Sequence, residues 1–144
     1  MQVRIRHQTY GLLIFFGLIF GGMWMLTGCI STVRETKQIG EPEFEIVEKD
    51  AVPEEFARVI REEREKPFCL TYAEQGELYL ARGYGRQDKT GYSVEVSELY
   101  ETENAVVFHT RLMGPEKGEK TKEIATYPYV VVRMKDGKKS VEFD

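Results

Sequence analysis

Sixteen consecutive residues, Gly11 to Leu26, carry no charge, and this run limits what the rest of the chain can build. It is shorter than the roughly 20 apolar residues that a helix needs to cross a bilayer. Arg4 and Arg6 stand before it, and the small residues Thr27 and Gly28 follow it, directly ahead of Cys29. A positive start, an apolar middle and a small-residue end are the three parts of a secretion signal. We therefore expect residues 1–28 to be a signal peptide.

The order Leu26-Thr27-Gly28-Cys29 resembles the lipobox of bacterial lipoproteins. That resemblance implies a diacylglyceryl group on the Cys29 thiol and cleavage just before it. One acyl chain holds a protein at a membrane marginally and two hold it stably. The expectation is thus a chain tethered to the membrane through Cys29, its folded part on the extracytoplasmic face of the bacterial cell membrane. The only other cysteine is Cys69, so no disulfide framework is expected. Without Arg4 and Arg6, 18 basic residues face 24 acidic ones, a net charge of −6. This balance argues against nucleic acid as a partner and against electrostatic docking on anionic lipid.

Residues 29–42 are polar, mixed and without period, and read as a flexible tether. The thirteen residues from Ile30 to Pro42 reach roughly 40 Å when extended. Residues 43–144 are enough for one domain of ordinary size with a modest core. Phe44 to Val47 is a short strand candidate. Pro53 followed by Glu54 and Glu55 marks a helix start, Phe56, Val59 and Ile60 form one apolar stripe, and Pro67 stops the helix. Glu54–Arg58 and Glu62–Lys66 are spaced for ion pairs on its solvated face.

Beyond Pro67 the period becomes two. Phe68, Leu70 and Tyr72 alternate with Cys69, Thr71 and Ala73, and a Gln75-Gly76 turn predicts a hairpin with Glu77–Ala81. Further strands are expected from Tyr92, over Ala105–Leu112, and over the apolar run after Tyr127-Pro128. Asp136-Gly137 reads as a two-residue hairpin turn that would pair Val132 with Val141 and Val130 with Phe143. The fold class is α+β: one helix on a mainly antiparallel sheet of six or seven strands.

Gly83-Tyr84-Gly85, Gly91-Tyr92-Ser93-Val94-Glu95-Val96 and Thr126-Tyr127-Pro128-Tyr129-Val130-Val131-Val132-Arg133 together resemble the C-terminal domain of PrcB, a family named for a lipoprotein subunit of a bacterial surface protease complex. The resemblance implies an accessory, non-catalytic subunit that helps to assemble or stabilise an extracytoplasmic protease. Thr90 stands where many members carry glycine or serine.

Little in the sequence supports catalysis. His7 belongs to the signal, which leaves His109 as the one histidine, and no cue joins it to Ser31, Ser93, Ser97 or Ser140. One His and one Cys make no recognisable zinc site, so neither a metal nor another cofactor is expected. The candidate protein-binding residues are Gly83, Tyr84, Gly85, Gly91 and Tyr92, where glycine permits close backbone approach and tyrosine offers amphipathic rings. The same residues equally suit a bend whose tyrosines cover the sheet. Lys89-Thr90-Gly91-Tyr92 is also similar to the Thr-Gly-Tyr loop of chagasin-type inhibitors of cysteine proteases. A lipoprotein that binds a small ligand or cell-wall glycan is the third reading.

Overall fold

The computed structural model of the chain describes Arg4–Ile5 and residues 37–144. Cys29, the rest of residues 1–28 and the first part of the tether lie outside the described residues. The elements are β1 (Arg4–Ile5), β2 (Phe44–Ile46), a 3-10 turn (Lys49–Ala51), α1 (Glu54–Glu63), β3 (Pro67–Glu74), β4 (Glu77–Tyr84), β5 (Ser93–Glu101), β6 (Ala105–Met113), β7 (Tyr129–Lys135) and β8 (Ser140–Phe143).

The strands form two sheets where the sequence led us to expect one. The larger has the order β1-β3-β4-β7-β2 and is antiparallel throughout. The smaller has the order β5-β6-β8, with β8 parallel to β6. The larger sheet is the middle layer, with α1 on one face and the smaller sheet on the other. Phe68, Leu70, Tyr72, Tyr79, Ala81 and Val131 meet Val52, Phe56 and Ile60 on the helix side. Leu78, Leu80, Val130, Val132 and Met134 meet Leu99, Val106 and Phe108 on the other. A strand buried on both faces needs apolar residues at consecutive positions, which is why β7 contains Val130-Val131-Val132.

The first hairpin forms as its turn chemistry demands. Gln75 and Gly76 take φ of 49° and 79°, both positive, as a type I′ turn requires. The helix follows its apolar stripe: the Phe56 ring stacks on Tyr72 at 5.2 Å between centroids, and Ile60 is buried. Pro53 is the residue before the helix rather than its first member, and Glu63 ends it ahead of Pro67, which opens β3. The ion pair on its outer face is Arg58–Glu62 at 3.2 Å, displaced from the two expected pairs.

The expected hairpin at Asp136-Gly137 does not form. β7 already has a neighbour on each side, β4 and β2, so its ladder has no free edge for β8. Val132 lies opposite Leu80 and Ile46, Val130 opposite Arg82, and Val141 and Phe143 lie opposite Val106 and Phe108. The segment is instead a switch between sheets. Asp136 accepts the Lys138 backbone N–H at 2.9 Å, its own N–H donates to the Gly76 carbonyl at 2.9 Å, and the positive φ falls on Lys138 at 58°. The chain also joins the domain before residue 43, because Ile39 N–H donates to the Glu101 carbonyl at 2.9 Å and Glu101 N–H to the Gly40 carbonyl at 2.8 Å.

Candidate functional site

The five candidate binding residues fall into two groups with different surroundings. Gly83 and Tyr84 belong to the end of β4, and Gly85 follows directly. Gly83 lies under the Phe68 ring, where a Cβ would sit well inside contact distance. Gly85 holds φ at 76° against Pro67, a backbone conformation that L side chains resist. The Tyr84 hydroxyl donates to the Thr110 carbonyl at 2.9 Å and lies 2.8 Å from the Thr110 Oγ1. This tie joins the end of β4 in the middle sheet to β6 in the outer one. Arg82 places its guanidinium 4.7 Å from the Tyr84 ring centre and donates from Nη1 to the Phe68 and Gly83 carbonyls at 3.2 Å each. Gly83, Tyr84 and Gly85 therefore hold the two sheets and the α1–β3 junction together.

Gly91 and Tyr92 lie on the other side of the connection. Gly91 has φ of 96°, and a Cβ there would come within 2.7 Å of Pro115. Tyr92 is half-buried and stands beside Gly114. Between the two groups the chain is stitched to the β6–β7 connection. Gln87 and Thr126 exchange backbone hydrogen bonds at 2.8 and 2.9 Å, Thr90 N–H donates to the Lys122 carbonyl at 2.9 Å, and Thr126 Oγ1 donates to the Lys89 carbonyl at 2.9 Å. The β6–β7 connection forms one surface with residues 86–92. Nothing in the local pattern of either segment announces the other, since the pairs lie 32 to 39 residues apart.

The outer part of this surface is an open groove lined by Tyr92, Glu95, Met113, Glu116, Lys117 and Glu119. Met113, at the end of β6, is 44% exposed. Tyr92 and Met113 thus offer a small apolar centre in an acidic rim, while Tyr84 is committed inside the fold. Sequence reading missed Met113 because it ends a strand whose other apolar residues serve the core.

The remaining chemical candidates have structural partners. His109 Nδ1 is 3.0 Å from Asp144 Oδ2, beside the Tyr100 ring. Cys69 is half-buried, and burial pushes its thiol pKa up against the opposing pull of Arg82. A raised pKa lowers the thiolate fraction, so the group is poorly nucleophilic. Among the described residues no group of three or more His, Cys, Asp or Glu could hold a metal ion.

Fold and surface together define a three-layer α+β domain with an exposed tyrosine–methionine groove at one loop pair. The family model described as PrcB C-terminal matches residues 78–135, which run from β4 through β7. All five candidate residues lie inside the matched range. No curated protein and no solved structure matches the chain.

Proposed function

We propose that the protein is a lipid-anchored, extracytoplasmic binding subunit without catalytic activity, and that it assembles with or stabilises an extracytoplasmic protease as the PrcB resemblance implies. The PrcB C-terminal match over residues 78–135 is the observation that carries this reading. The lipobox at Leu26–Cys29 supports the anchor, and the open Tyr92–Met113 groove supports protein recognition over a small-ligand pocket. The anchor on Cys29 holds the domain near the membrane, and the groove presents a ring and a flexible thioether that adapt to a protein surface.

Two measurements test it. Cys29→Ser should abolish lipid labelling and leave an unprocessed precursor; a mature wild-type protein that retains residues 1–28 by mass spectrometry refutes the anchor. A pull-down from intact cells should recover a protease or its partner subunit with the wild-type protein. Recovery should fall with Tyr92→Ala, since truncating an interface tyrosine typically costs about 2 kcal/mol. If no protein is recovered, inhibition of a panel of cysteine proteases decides for the chagasin-type alternative.

A further inference from the structure

The outer strands of the two sheets are not protected alike. β2 has three residues and carries Glu45, β8 has four and carries Glu142, and β5 carries Glu95 and Glu98 around a register shift between Val96 and Glu98. Short length, charge and bulges are the usual protection of a sheet edge. β3 lies next to the two-residue β1 at the rim of the larger sheet, is eight residues long and carries its one charge only at its end, Glu74. It pairs with β4 over eight residues without a break, and no residue from Pro67 to Ala73 is charged. The two-residue turn makes Glu74–Glu77 a hydrogen-bonded pair, so by alternation Cys69, Thr71 and Ala73 direct their N–H and C=O groups away from β4.

A strand already lies on this edge. β1 pairs antiparallel with it, Arg4 opposite Thr71 and Ile5 opposite Leu70. Beside it the side chains of Cys69 and Thr71 line a partly open cavity of about 140 Å³ between the two sheets, whose apolar wall is Leu78, Val141 and Phe143 and whose polar wall is Lys139 and Ser140.

We propose that β3 is a strand-acceptor edge: once residues 1–28 are removed and β1 leaves with them, an extended segment of a partner protein pairs with Cys69–Ala73 and places an apolar side chain in the cavity beside it. The proposal rests on the signal reading given under Proposed function. In this mode backbone hydrogen bonds supply affinity and the pocket for alternate side chains supplies specificity. A second copy of the chain is the poorer occupant. Its own β3 would present only Cys69, Thr71 and Ala73 to the cavity side, all small, and two copies of net charge −6 repel.

The test is photo-crosslinking in cells that process the full chain, with p-benzoylphenylalanine in place of Ala73, which is exposed on the edge. The expected result is an adduct with a contiguous segment of another protein, identified by mass spectrometry. Thr71→Pro removes an outward N–H and leaves the β3–β4 ladder intact; Thr71→Lys puts a charged side chain into the cavity that the partner's apolar side chain would enter. Each should lower the adduct yield about tenfold with an unchanged melting temperature. If Thr71→Pro unfolds the domain, Thr71→Lys alone decides. No adduct from a processed chain, an adduct only with a second copy, or an adduct insensitive to both substitutions overturns the proposal. An adduct with residues 1–8 of the same chain also overturns it, and a retained N-terminus by mass spectrometry then places the fault in the signal reading.

Discussion

At the scale of the residue, three positions separate the roles that turn residues play. Gly83 is a packing glycine: Gly83→Ala pushes a methyl group into the Phe68 ring, which itself leans on Tyr129 at 6.3 Å. The expected loss is about 1–3 kcal/mol, read as a lower melting temperature. Gly137 is the reverse case. A Cβ there meets nothing within 4 Å and the positive φ belongs to Lys138, so Gly137→Ala should leave stability unchanged or raise it by about 0.4–1 kcal/mol. Asp136 carries the switch. Hydrogen bonds from the Lys138 side chain and backbone hold its carboxyl below the usual carboxylate range. A carboxyl whose folded pKa is depressed contributes stability above its unfolded value, about pH 4, and loses it as pH falls through the folded value. Melting curves recorded at falling pH should show Asp136→Asn with a shallower acid loss than wild type.

At the scale of the element, the two halves of the Gly83–Tyr92 connection should respond differently. Tyr84→Phe removes the hydroxyl tie to Thr110 and should cost about 1 kcal/mol, with Thr110 left to find another partner. Met113→Ala and Tyr92→Ala touch the groove and should leave the melting temperature close to wild type while weakening partner capture in the pull-down. A Tyr92→Ala protein that unfolds would move Tyr92 into the fold's own packing and remove the groove from the binding surface. The contrast matters because the sequence presents Tyr84 and Tyr92 as equivalent, each beside glycine.

At the scale of the whole molecule, stability comes from two apolar interfaces that share one sheet, and no disulfide contributes among the described residues, where Cys69 is free. Thermal unfolding of the processed chain should therefore be the same with and without reductant; a large shift in the monomer would mean that Cys69 is cross-linked. Local pattern was enough for the features whose physics is local. The Phe56–Ile60 stripe, the Gln75-Gly76 turn and the alternation of β3 each depend on neighbours a few residues away, and they form close to where the sequence places them. Gly85 and Gly91 were legible as bends for the same reason, since their backbone freedom is a property of the residue itself, whereas Gly83 serves the packing of Phe68 inside β4. Partner choice over long separations was not legible. Asp136-Gly137 between two apolar runs satisfies every local rule for a hairpin, yet β7 is enclosed by β4 and β2, and β8 finds its partner in β6. Likewise the loop of residues 86–92 owes its shape to Lys122 and Thr126, and Tyr84 owes its role to Thr110. The sequence by itself determined the elements, the apolar faces and the turn at Gln75-Gly76, because these follow from short-range sterics and periodicity. Only the tertiary structure decided that there are two sheets, and that Tyr84 is tied to Thr110 while Tyr92 lines a groove, because those depend on which surfaces compete for burial once the chain is compact.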